Sequence, residues 1–139
     1  MNYLERAKTV KNTGSKDSVP ALIVELLDAA AKFHILHLIV RGTASYAQHK
    51  ALNELYDALP DLADGLAESW QGATLSIPNY PTVKAPDLGS VEEAISYIKA
   101  LRDKIEKVQK SIDYSEIIND LDTIKTELNS TVYKLKFLK

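Results

Sequence analysis

At 139 residues, with 45% apolar and 26% charged side chains, the chain is long enough for one buried core, too short for two, and too apolar to be disordered throughout. A formal net charge of −2 supplies no overall attraction to nucleic acid. With no cysteine, neither a disulfide framework nor thiolate zinc coordination is open to it, and a reducing, cytoplasmic setting is expected.

The first sixteen residues carry Arg6, Lys8, Lys11 and Lys16 against the single acid Glu5. They contain no apolar run resembling a secretory signal. Residues 1–16 are expected to form a solvated basic tail rather than a DNA-binding arm, and residues 17–139 a helical domain.

The first helix is expected over 19–41. Asp17 and Ser18 can cap it, Pro20 suits its first turn, and Gly42 supplies a stop. Its stretch from Ala21 to Val40 is the most apolar of the chain, yet it holds Glu25, Asp28, Lys32, His34 and His37. A lipid-facing span rarely carries so many ionisable groups, so no membrane insertion is expected. The second half of this helix is apolar nearly all round, more than one core-facing stripe requires, and the surplus points to an interface between copies.

The second helix opens at the capping box Ser45-Tyr46-Ala47-Gln48 and its apolar period stops at Gly72. Leu52, Leu55, Leu59, Leu62 and Leu66 form its core stripe. Residues 73–89, with Pro78, Pro81 and Pro86, read as a long connection. A third helix opens at Ser90-Val91-Glu92-Glu93 with a stripe of Ile95, Ile98, Leu101, Ile105 and Val108. A fourth opens at Asp113-Tyr114-Ser115-Glu116 with Ile117, Leu121, Ile124, Leu128, Val132 and Leu135. Short, long and short connections suit an all-α four-helix bundle whose middle crossover makes the second and third helices run parallel, as in ferritin-like topology.

On the second helix, His49, Asn53, Asp57, Asp64 and Glu68 fall on the side away from the leucine stripe and should face outward. His49 and Asp64 are separated by about 22 Å along the axis, so one chain cannot bring both to one ion. Antiparallel pairing of this helix with a second copy brings His49 and Asn53 of one near Asp64 and Glu68 of the other, with His37 arriving from the first helix. Imidazole nitrogen and carboxylate oxygen together suit iron or another first-row divalent metal.

His37-Leu38-Ile39-Val40-Arg41-Gly42, His49 twelve residues after His37, and then Asp64 and Glu68 resemble the helix A to B signature of the Dps-type mini-ferritins over about residues 20–72. The resemblance implies a homo-oligomer built on a two-fold dimer through the first two helices. It implies an intersubunit iron site with His37, His49, Asp64 and Glu68 as ligands, and oxidation of ferrous iron. Asn53 stands where that family has a carboxylate, with Asp57 one turn on as a substitute, and Leu38 stands where it has a tryptophan. Pro60 should kink the second helix or remove one hydrogen bond. The stretch from Leu59 to Gly72 is also similar to small phage-encoded proteins of ferritin-like type without a settled activity, which would place the chain in a host cytoplasm. A second reading takes Arg41, Tyr46, Lys50, Tyr56 and Trp70 as a pocket for a small anionic ligand between subunits, in a protein that is not an enzyme.

Overall fold

Residues 17–139 are described by a computed structural model, and the expected tail at 1–16 lies outside them. Four helices account for the regular structure, α1 (Val19–Ile39), α2 (Ser45–Thr74), α3 (Val91–Ser111) and α4 (Ser115–Phe137), and among the described residues there is no strand. None of these helices is long and apolar enough to cross a membrane.

Two of the expected helix starts form as read. Ser18 Oγ accepts the Ala21 N–H at 3.3 Å, and Pro20 sits in the first turn, where a missing N–H leaves no bond unmade. Ser90 Oγ accepts the Glu93 N–H at 3.1 Å, and Glu93 returns a carboxylate to the Gly89 N–H at 2.7 Å. The other two starts differ. Ser45 lies inside α2; the cap position falls to Ala44, at φ 68 and ψ 5, and no side chain caps it. The five-residue reversal from α1 decides this, because Gly42 at φ 93 and Ala44 are both left-handed, and Ser45 is carried into the helix with its N–H on the Gly42 carbonyl at 3.1 Å. α4 begins at Ser115 with Tyr114 at the cap and no side-chain hydrogen bond there. The Tyr114 ring is buried edge-on against Trp70, centroids 5.9 Å apart, so packing sets the position of that start.

Helix ends shift as well. α1 stops at Ile39 with the Val40 N–H on the Leu36 carbonyl, two residues before the expected end. α2 runs through Gly72 to Thr74, whose hydroxyl donates to the Trp70 carbonyl at 2.8 Å, and Leu75 turns the chain at φ 51. α2 is also continuous through Pro60, which leaves the Tyr56 carbonyl without its helical donor.

The leucine and isoleucine stripes meet in one core. Leu22, Leu26 and Phe33 of α1, Leu52, Leu55 and Leu59 of α2, Ile98 and Ile105 of α3, and Ile117, Leu121 and Leu128 of α4 are all fully buried. Each such side chain contributes about 1.5–3 kcal/mol. α1 packs on α2, α2 on α4, α4 on α3 and α3 on α1. Cross-helix contacts set the alignment: Phe33 against Tyr97, Trp70 against Tyr114, and Lys134 on Glu54 at 2.5 Å. Glu25, 3% exposed, accepts from the Tyr97 hydroxyl at 2.7 Å and from Lys104 at 2.5 Å. The connection 75–90 is fastened to α1 by the Ala85 N–H on Asp28 at 2.6 Å and by the Lys32–Asp87 pair at 2.7 Å, with Ala85 and Leu88 buried beneath it.

Candidate functional site

The chain has three histidines, and the fold collects all of them where the end of α1 meets the start of α2. His34 and His37 lie one turn apart on α1, their rings edge to face at 5.6 Å. His49 stacks on His37 with centroids 3.7 Å apart, and Tyr56 stacks on His34 at 3.9 Å and meets His37 edge-on at 5.0 Å. Four flat side chains thus tile the seam between two helices.

The polar atoms of this cluster differ in their supply of partners. His49 Nδ1 is 3.0 Å from the His37 carbonyl oxygen. A carbonyl only accepts, so Nδ1 carries the proton, and in the neutral ring Nε2 holds a bare lone pair. His49 itself is exposed. His37 is 7% exposed, and neither of its ring nitrogens makes a well-formed hydrogen bond. Burial pushes the His37 imidazole below its usual pKa and the neighbouring His49 adds to this, while the His34 carbonyl and Asp57 pull the other way.

Asn53 links the cluster to Asp57. The Tyr56 hydroxyl donates to Asn53 Oδ1 at 2.9 Å, and Asn53 Nδ2 donates to Asp57 Oδ2 at 2.7 Å. An ionised carboxylate only accepts, so Asp57 fixes which way the amide points. Both ends of the Asn53 amide are engaged within the chain, and neither is left bare for a ligand.

Asp64 and Glu68 are exposed and lie on the same helix toward its far end, away from the histidines. Among the described residues, no three histidine or carboxylate side chains of one chain come together as a metal-holding group. Tested against a metal, the residues fit unevenly. His49 fits: a ligating histidine characteristically donates its other ring N–H to a carbonyl or carboxylate, as His49 does here. Asp64 and Glu68 offer uncommitted oxygens. His37 does not fit the ligand role the resemblance implies, because its nitrogens are covered and its ring face is occupied by His49. What it supplies is a backbone carbonyl.

The five residues of the anion-pocket reading are not gathered. Lys50 lies over the exposed Tyr46 ring, 5.7 Å from its centroid, while Arg41 lines a separate cleft of about 740 Å³ with Leu36, Val40, Gln48 and Ser90. Tyr56 is stacked beneath His34, and Trp70 is buried at the opposite end of α2 against Tyr114. Within one chain a helix of 30 residues holds its two ends apart, so a pocket drawing on all five residues needs a second copy, as the expectation of a pocket between subunits has it. Sequence reasoning also missed His34. Its spacing of three from His37 on the side facing α2 was the available signal.

In comparisons with known proteins, no curated protein and no solved structure matches the chain. A family of unknown function, DUF5856, matches residues 41–135, a span that includes His49, Asn53, Asp57, Asp64 and Glu68 and leaves out His34 and His37. Because that match covers well over half of the sequence, the chain belongs to the DUF5856 family.

Proposed function

We propose that this protein is a ferritin-like bundle, with 75–90 as the long crossover that lets α2 and α3 run in the same direction, and that it binds a first-row divalent metal between two copies. The observation that carries this reading is the His49 Nδ1–H on the His37 carbonyl. It fixes the tautomer that leaves Nε2 free to ligate and points a rigidly held nitrogen at the surface. Asp64 and Glu68 of a second copy would supply the oxygens, since those of the same helix lie about 22 Å or more from His49. Iron is the metal the mini-ferritin resemblance implies, and a bound iron would supply one-electron redox chemistry. The part supported by side-chain geometry is metal binding, because Asn53 is tied to Tyr56 and Asp57 where a further carboxylate would be needed. A reducing cytoplasmic setting belongs to the same proposal.

The test is native mass spectrometry of the full chain loaded anaerobically with ferrous iron, beside His49→Ala and Glu68→Ala. The reading expects iron on assemblies of two or more copies and its loss in both variants. Folded, assembled protein that takes up no iron at all would end it.

A further inference from the structure

The cleft that Arg41 lines opens where three elements end or begin: the last turn of α1, the reversal into α2 and the first turn of α3. At about 740 Å³ it lies within the range of roughly 300–1,000 Å³ that small-molecule sites occupy.

Its walls are of two kinds. Ile39, Val40 and Val91 give it an apolar side, while Arg41 and Glu92 give it one charge of each sign. Both charged residues are exposed, and among the described residues neither takes part in an ion pair, with the other or with any third group. The acids beside Glu92 are committed: Asp87 pairs with Lys32 at 2.7 Å, and Glu93 accepts the Gly89 N–H at 2.7 Å. Arg41 and Glu92 therefore stand in one cleft as separate, unspent charges.

We propose that this cleft binds a free α-amino acid with a branched apolar side chain. A ligand with a carboxylate alone would meet Glu92 as well as Arg41, and one with an amine alone would meet Arg41 as well as Glu92, so each single-charge ligand is opposed by a like charge. A zwitterion satisfies both. Its carboxylate suits the planar donor fork of the Arg41 guanidinium, and its ammonium suits the Glu92 carboxylate. The apolar wall supplies the third contact, because a branched side chain leaves water when it lies against Val40 and Val91. Of the five residues in the anion pocket expected from the sequence, this cleft holds Arg41 alone, and Glu92 turns its preference from an anion to a balanced pair of charges. The inference is separate from the metal reading, since His49, Asp64 and Glu68 lie outside the cleft.

Titration of the full chain with leucine, followed by backbone amide NMR shifts, should show saturable binding in the millimolar range, with shifts concentrated around Thr43 and Gly89. Glycine, which keeps both charges and lacks the side chain, should bind at least about tenfold more weakly. Isocaproate and isoamylamine, each with the side chain and a single charge, should do the same. Arg41→Gln and Glu92→Gln should each weaken leucine binding about tenfold at unchanged helical circular dichroism, and Glu92→Gln should at the same time tighten isocaproate. His49→Ala should leave leucine binding as it is. A folded chain without saturable leucine shifts, or leucine binding indifferent to either charge variant, overturns the proposal. Leucine bound by an assembled chain that takes up no iron upholds it while ending the metal reading.

Discussion

His49 lies face to face on His37 at 3.7 Å and donates its Nδ1–H to the carbonyl of that same residue at 3.0 Å. One residue thus holds the other by both ring face and backbone, and the cost falls on His37, whose buried nitrogens are left without good partners. Stability should therefore depend on pH. Burial lowers the His37 pKa below the ordinary histidine value of 6.5, so below that pH the unfolded chain binds the proton that the folded chain resists. Stability then falls as pH drops through that value, and goes on falling until the folded pKa is reached. Thermal unfolding between pH 7.5 and 5.5 should show this decline.

His37→Phe keeps a ring under His49 and leaves the backbone acceptor in place. It should flatten the decline and stabilise the protein by about 1 kcal/mol at neutral pH, by removing unsatisfied buried polar atoms. A variant as pH-sensitive as the parent would show that the titration lies elsewhere.

Ser90 and Ser45 occupy matching places in two similar sequence signals, yet only Ser90 caps a helix. Ser90→Ala should cost about 1 kcal/mol in urea unfolding and Ser45→Ala close to nothing. Equal losses would contradict the two geometries.

Glu25 is buried among α1 and α3 side chains, with Tyr97 and Lys104 as its partners. Burial and the adjacent carboxylate hold the Tyr97 phenol far above its ordinary pKa. It should stay protonated in alkaline absorbance titration until the bundle unfolds. Lys104→Met removes the cation and leaves the carboxylate buried; because Lys104 itself is partly solvated, the expected loss is about 2 kcal/mol, below that for a fully buried pair.

Pro60 sits within a continuous helix and denies the Tyr56 carbonyl its donor. Pro60→Ala should stabilise the chain by about 1 kcal/mol while leaving the Tyr56 ring stacked on His34. Histidine chemical shifts together with denaturant midpoints check both halves of that expectation.

The number of helices, their approximate spans and nearly all core positions were legible in the sequence, because the three-four spacing of Leu and Ile is a local signal that burial then enforces. Ile98, Leu101, Ile105 and Val108 are buried as read. The outward placement of His49, Asp57, Asp64 and Glu68 followed from the same periodicity. Tertiary structure decided the rest. A turn with two left-handed residues displaced the α2 cap, and a buried tyrosine took the cap position of α4. Packing of α1 on α2 joined His34, His37, His49 and Tyr56 into one cluster and turned His37 from an expected ligand into a covered ring with a useful carbonyl. Spacing along one helix specifies which residues share a face; which faces of two helices touch, and which polar atoms remain unpartnered between them, depends on how the helices pack.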